Sequence, residues 1–378
     1  MKRTIVAMIL VGGKGTRLKE ITKDTAKPAV SFGAKYRLID FTLSSLANSN
    51  IDVVGVVTQY EPYELMNYIG SGASWDLDPI DGGIKFLTPY ASSGEVMWQK
   101  GTAHAVRQYF NFVKEYQAEY VLILSGDQIY KMDYQKMLAH HINHQAAVTI
   151  AAVEVEPSEA ERFGILATDT RDRVISFEEK PATPKGNLAS MGLYLFNTSD
   201  LERLLAVGKQ DEIIDFGKNV IPNAIAAGVP VYSYHFKDYW RDVGTVESLY
   251  QANMDMLDDP DFLGLNVSKN LPVYSKSLNL PPHIILEDGV VKCSVVADGS
   301  VIDGTVIHST IGYRTVVMKN ARIENCVILP DVFVSANAHL ANVIVNQGVI
   351  VPEDYRLIAD HVVVLDATNL GKLGEIDE

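Results

Sequence analysis

The chain has 378 residues, 47% of them hydrophobic and 21% charged, with 33 Lys plus Arg against 47 Asp plus Glu and a formal net charge of −14. This is the composition of a folded chain of two or three domains, and the acidic balance argues against a surface that grips nucleic acid or an anionic membrane. An anionic small molecule is compatible with it, because a site needs only local positive charge, and residues 1–40 carry nine basic side chains against three acidic ones.

Met1-Lys2-Arg3 followed by apolar Ile5 to Val11 faintly imitates a secretory leader, but the apolar run is short and ends in glycines, which reads as a buried strand. Further along, strand and helix signals alternate: helix over Asp40–Ser49, strand over Val53–Thr58, helix over Pro62–Ile69 and over Gly101–Glu115. Tyr120–Leu124 is a strand, Asp133–His144 a helix, and Val148–Val155 and Met191–Phe196 strands. A helix over Ile214–Ala227, a strand over Val231–Phe236 and a helix over Val246–Leu257 complete an α/β region with a mostly parallel sheet. In such sheets ligands bind at the carboxyl ends of strands.

After Asp258-Asp259-Pro260 the pattern changes to short β-branched pieces. Apolar residues recur every six positions in the series Val290, Val296, Ile302; Val295, Val301, Ile307; Ile311, Val317, Ile323, Leu329; Ile328, Val334, Leu340; and Val345, Val351, Leu357. A six-residue repeat of this kind predicts a left-handed parallel β-helix with the apolar residues pointing inward. The expected division is 1–257, a connector over 258–285, and 286–378. The two cysteines, Cys293 and Cys326, build no disulfide framework and point to a reducing, cytoplasmic setting. No run approaches the ~20 apolar residues of a membrane span.

Candidate chemistry lies at strand ends. Gly12-Gly13-Lys14-Gly15-Thr16-Arg17 follows the first strand, and glycines there let backbone amides approach a phosphate while Lys14 and Arg17 add charge. Neither the Walker A ending nor the Gly-x-Gly-x-x-Gly spacing is present. Lys27 precedes Pro28 in the same cationic stretch. Asp127 ends the run Leu122–Ser125-Gly126 and Asp242 ends Tyr239-Trp240-Arg241, so each could ligate a hard cation such as Mg²⁺ together with substrate phosphates. Glu179-Lys180 after Phe177 could take the hydroxyls and phosphate of a second substrate. His140, His141 and His144 share a helix without acidic company and read as a solvated face. No nucleophile elbow or Cys–His set supports covalent catalysis.

In order and spacing, several stretches resemble the bacterial glucose-1-phosphate adenylyltransferases: Val11–Leu18, Ala26–Val30, Phe32–Phe41, Gly55–Tyr60, Gly101–Ala103, Leu124–Tyr134, Arg162–Ile165, Phe177–Pro181, Ala189–Gly192, Asp215–Pro222 and Trp240–Thr245. The resemblance implies a Rossmann-like nucleotidyltransferase domain followed by a left-handed β-helix. It also implies formation of ADP-glucose and pyrophosphate from ATP and glucose 1-phosphate with Mg²⁺, for glycogen-type glucan synthesis. By the same resemblance Gly12, Gly13, Gly15, Thr16, Arg17, Gly101 and Thr102 bind nucleotide, and Arg17, Lys27 and Asp127 are catalytic. Asp127 and Asp242 hold the metal, while Gln99, Gly164, Glu179, Lys180 and Ser190 bind glucose 1-phosphate. Gln59 and Trp98 carry communication with a regulatory site. A homotetramer, or a heterotetramer with a paralogous regulatory subunit, is implied as well.

Two positions depart from the family pattern: Gln99 stands where an aromatic residue is usual, and Asp24 where many members carry a basic residue tied to activator binding. The second departure predicts weak or absent activation by anionic sugar phosphates. Rival readings are a non-catalytic regulatory paralogue, a β-helix acyltransferase, which would need a rung histidine such as His308 or His339, and a pyrophosphorylase using another base or sugar.

Overall fold

The computed structural model describes residues 4–12, 15–23, 25–59, 62–89, 91–92, 95–96, 99–206, 214–259 and 271–376. Ile5–Leu10 forms the central strand of the first domain, paired in parallel with Tyr120–Ser125 on one side and Val53–Val57 on the other, beyond which Gly83–Leu87 is also parallel. The long strand Leu188–Asn197 runs antiparallel to Tyr120–Ser125 and to Val148–Glu154, and Val231–His235 closes that edge in parallel. A hairpin of Gly164–Thr168 and Val174–Glu179 branches from the start of Leu188–Asn197.

Period-two alternation explains why these runs are apolar throughout. Val6 and Met8 enter one core with Val53, Val57, Val121 and Ile123. Ile5, Ala7 and Ile9 enter the opposite one with Val54, Val56, Leu122 and Leu124. Helix Leu38–Asn48 covers the second face through Ile39, Leu43 and Leu46. Thr102–Gln108, Phe110–Glu115, Thr198–Ala206 and Ile221–Ala226 cover the first. The expected helix over Gly101–Glu115 is therefore two helices meeting at Tyr109, and the one over Ile214–Ala227 begins as a wide turn, Phe216–Val220.

The C-terminal region is a parallel β-helix with three sides, its stacked residues 15 or 17 apart in sequence, and 20 apart at the end of the last coil: Val290 on Thr305, Val316 on Phe333, Phe333 on Ile350, Val343 on Val363. The inward residues run Ile311, Val317, Ile323, Ile328, Val334, Leu340, Val345, Val351, Leu357. From Ile311 onward their spacing is six, six and then five, because one side of each of these coils is a residue shorter, while the preceding coil steps Val296, Ile302, Val306, Ile311 by six, four and five. A strict period of six therefore drifts out of phase: Val290 and Val295 are exposed, Val301 and Ile307 half-buried, and none belongs to the inner core. Corners take left-handed backbone, in three columns: His308, Asn325, Asn342; Arg314, Asp331, Gly348; and Asn320, Asn337, Asp354. The third column is tied by side-chain hydrogen bonds of 3.1 and 2.9 Å.

The β-helix packs against the first domain through Val327, Leu329, Ile344 and Val364, which meet Leu18, Ile21, Phe32 and the helix Val246–Asp258. Leu329, expected to point into the coil, belongs to this interface instead. Asn346 Nδ2 donates to the Glu20 carbonyl across it at 3.2 Å.

Candidate active site

The short strands Gln128–Tyr130 and Trp240–Asp242 pair antiparallel with Asp242 opposite Gln128. This ribbon sets Asp242 beside Asp127, although 114 residues separate them along the chain. Asp127 follows the tight turn after Tyr120–Ser125, where a side chain on Gly126 would collide with Val11, Ile39 and Ile9. The Ser125 hydroxyl donates to Asp127 Oδ1, and Thr42 on helix Leu38–Asn48 donates to the Ser125 carbonyl at 3.0 Å.

Lys27 joins the two carboxylates. Its Nζ lies 2.6 Å from Asp127 Oδ2 and 3.5 Å from Asp242 Oδ1. Burial disfavours charge on the amine, but both carboxylates act against it, and the Lys27 pKa stands above its ordinary value. Burial likewise works against charge on Asp127, yet the Lys27 ammonium and the Ser125 hydroxyl hold its carboxyl below the usual range.

Gly12 and Gly15 belong to the turn after the first strand. Gly15 has φ +62° and precedes the 3-10 helix Thr16–Thr22. Gly13, Lys14, Asp24 and Trp98 lie outside the described residues. Arg17 is exposed and reaches toward Asp242: a Cβ on Gly244 would stand 2.7 Å from Asp242 Oδ2, 3.2 Å from Arg17 Nη2 and 3.4 Å from Arg162 Nη2. Arg162, to which sequence reasoning gave no role, thus sits at the same carboxylate, 3.9 Å from Asp242 Oδ2.

A cleft of about 430 Å³ opens beside Asp127. Gly12, Gln59, Gln99, Gly101 and Thr102 line it, together with Glu179 and Lys180. Gln59 Nε2 donates to the Gln99 carbonyl at 3.2 Å, and Gln99 Nε2 donates to the Thr58 carbonyl at 3.1 Å, so the two amides brace the cleft wall. Gly101 lies so close to Ile214 that an added Cβ would sit 2.6 Å from its carbonyl oxygen. The Thr102 hydroxyl is engaged by protein: it donates to Asp215 Oδ2 at 2.9 Å and accepts from the Phe216 N–H at 3.1 Å.

Gly164 pairs directly with Glu179 in the hairpin, where a methyl group would lie 2.4 Å from the Phe177 ring and 2.9 Å from Glu179 Oε2. Lys180 is exposed, in left-handed conformation with φ +50°, and its Nζ is 3.9 Å from Glu179 Oε1. Burial raises the Glu179 pKa, with Lys180 lowering and Asp215 raising it in turn. Ser190 is buried behind the wall, its Oγ accepting from the Gly192 N–H at 3.1 Å. Gly164 and Ser190 thus shape the cleft without lining it. Tyr194, Asp215, Phe216 and Gly217 also line it. They had no assigned role in the sequence reading, although Asp215-Phe216-Gly217, just before a helix, was the available signal.

Comparison with known proteins gives the family. The nucleotidyl transferase family model matches residues 6–259, and a GlmU-like C-terminal hexapeptide model matches 285–369. The glucose-1-phosphate adenylyltransferases of Bacillus cytotoxicus and Bacillus mycoides are each 47% identical to this chain over 354 residues, which is 93% of this chain and 94% of each relative. That of a Bacillus cereus strain matches to the same extent. The chain belongs to the glucose-1-phosphate adenylyltransferase family. Against the family's two-domain pattern, the glycine turn, the Lys27–Asp127–Asp242 cluster and the Glu179–Lys180 pair all lie in the nucleotidyl transferase part. Among the described residues no helix is long and apolar enough to cross a membrane.

Proposed function

We propose that this protein transfers the adenylyl group of ATP to α-D-glucose 1-phosphate, releasing pyrophosphate and forming ADP-glucose for α-glucan synthesis. The observation that carries the reading is one cleft lined by Gly12 of the glycine turn, by Asp127, and by Glu179 with Lys180, with Lys27 linking Asp127 to Asp242 beside it. Such a cleft can hold two phosphorylated substrates with their reacting groups adjacent.

The sugar phosphate is already a nucleophile, so the task is to bring two polyanions together and stabilise the charge of in-line displacement at the α-phosphorus. In this reading the amides of Gly12, Gly13 and Gly15 with Thr16 and Arg17 cradle the triphosphate, and Gly101 and Thr102 close on the nucleotide. Lys27 neutralises phosphate charge. Glu179 accepts from sugar hydroxyls and Lys180 pairs with the sugar phosphate, supported by Gly164 and Ser190 behind them, with Gln99 lining the same cleft. Gln59 and Trp98 link this wall to regulation.

Nucleotidyl transferases use a divalent cation. Asp127 and Asp242 present the two-carboxylate donor set that suits Mg²⁺ completing its shell with phosphate and water oxygens. When bound, the ion would neutralise charge on the triphosphate and favour departure of pyrophosphate.

We also assign the division 1–257, 258–285 and 286–378, supported by the matched ranges 6–259 and 285–369. The working form is a homotetramer or a heterotetramer with a paralogous subunit, in the cytoplasm. The test is pyrophosphate release by the purified chain from each of four nucleoside triphosphates with glucose 1-phosphate. Turnover with ATP alone among the four is expected, and no turnover by the isolated chain would favour the regulatory-subunit reading.

A further inference from the structure

The two carboxylates assigned to the divalent cation already share a positive charge that belongs to the chain. Lys27 Nζ bridges Asp127 Oδ2 and Asp242 Oδ1 at 2.6 and 3.5 Å, with the three side chains only 10, 23 and 18% exposed. An ion pair this sheltered from water is little screened.

The position of the lysine backbone matters as much as its charge. Lys27 starts the 3-10 turn Lys27–Ala29, stiffened by Pro28 and closed by hydrogen bonds from the Ala29 N–H to the Ala26 carbonyl and the Val30 N–H to the Lys27 carbonyl, at 2.8 and 3.1 Å. That turn lies against the glycine turn: a methyl group on Gly15 would stand 3.2 Å from Lys27 Cβ. A fixed backbone beside the phosphate cradle, carrying a flexible four-carbon stem, can point its ammonium at the aspartates or at a triphosphate by side-chain rotation alone.

We propose that Lys27 gates the metal site: its ammonium holds Asp127 and Asp242 until a nucleoside triphosphate on the glycine turn draws it away, and only then do both carboxylates accept a divalent cation. The inference rests on the assignment of Asp127 and Asp242 made above. A cation arriving while Nζ bridges the carboxylates would meet a like charge a few ångströms away and carboxylate oxygens already engaged as acceptors. The triphosphate removes both obstacles by giving the ammonium another anionic partner. Nucleotide and metal then bind with positive coupling, each raising the affinity of the other by the same factor.

Mn²⁺ binding to the full chain without nucleotide, read from the free-ion paramagnetic resonance signal, tests this apart from catalysis. Lys27→Met is expected to bind Mn²⁺ about tenfold more tightly than the unsubstituted chain, or better. Lys27→Arg, which keeps the charge, should stay weak, and adding Asp127→Asn to Lys27→Met should abolish the gain. Lys27→Gln serves in place of Lys27→Met if the latter does not fold. Equal Mn²⁺ affinity in the charge-free variant and the unsubstituted chain overturns the gate while leaving the metal assignment standing. A gain that survives Asp127→Asn places the cation elsewhere and overturns that assignment itself.

Discussion

The Tyr68 hydroxyl sits astride the Asp40 carboxylate, 2.9 Å from one oxygen and 2.8 Å from the other. Asp40 also accepts from the Arg37 backbone N–H at 2.9 Å at the start of helix Leu38–Asn48, and it is fully buried. Burial pushes its pKa up to about 7, against the lowering effect of these hydrogen bonds and of Arg37. A carboxyl raised in the folded state keeps its proton between about pH 4 and 7 while the unfolded chain has lost it, so its contribution to stability falls as pH rises through that window. Asp40→Asn should remove that decline. The difference in urea midpoint between the unsubstituted chain and the variant should favour the former more at pH 5 than at pH 8. Tyr68→Phe should cost about 1–3 kcal/mol, because the carboxylate then loses a buried donor.

His141, expected on a solvated helix face, is instead turned inward and buried, and its effect has the opposite sign. Its Nδ1 meets the Thr149 hydroxyl at 2.8 Å and its Nε2 the Asn197 Oδ1 at 3.2 Å. Burial lowers its pKa despite Asn197 and Asp200, and burial with the neighbouring His144 lowers that of His140. A base lowered in the folded state contributes stability at neutral pH that is lost as pH falls through the unfolded value of about 6.5. The contribution of His141 therefore falls between pH 7 and 5.5, against the rise from Asp40, and the unfolding midpoint of His141→Gln relative to the unsubstituted chain should be higher at pH 5.5 than at pH 7.

Gly164 leaves the room in which Glu179 stands, with a Cβ there meeting Phe177 and Glu179 Oε2. Gly164→Ala should displace the carboxylate and raise KM for glucose 1-phosphate about tenfold or more, leaving the dissociation constant for ATP within about twofold. A parallel rise in both constants in steady-state kinetics and calorimetry would argue against the assignment.

Asp127→Asn should lower kcat by about 10² or more while far-UV circular dichroism stays unchanged. Lys180→Ala, at an exposed residue, should chiefly raise KM for glucose 1-phosphate, by about tenfold. Near-normal kinetics in both variants would refute the site.

The response to anionic effectors should be small. The cavity between the domains, about 200 Å³, is lined by Glu20, Ile21, Thr25, Ala29, Val30, Ser31, Glu64, Leu329, Asn346 and Gln347, with no lysine or arginine among these described residues. The nearby Arg37 is held by Glu64 at 2.6 Å and lies over the Tyr68 ring. Fructose 1,6-bisphosphate should change the rate of the purified protein by less than about twofold, and a several-fold activation would contradict this.

The chain's order of apolar runs determined most of the architecture. Ile5–Leu10 and Tyr120–Ser125 are apolar at every or nearly every position, which only a strand buried on both faces satisfies. The six-residue recurrence after Pro260 announced a β-helix, but its true step, six, six and five from Ile311 onward, was hidden, since which apolar residue turns inward depends on the length of each side of the coil. The glycine turn, Lys27, Asp127, Asp242 and Glu179–Lys180 were legible as strand-end polar groups. Tertiary structure alone decided that Asp242 stands beside Asp127, because the pairing of Gln128–Tyr130 with Trp240–Asp242 has no signature in local spacing. It alone assigned the N-terminal cations their partner. The excess charge of residues 1–40 reads as a plain anion site, whereas Lys27 already answers two carboxylates from strands far along the chain, through a low-dielectric contact that no one-dimensional pattern encodes.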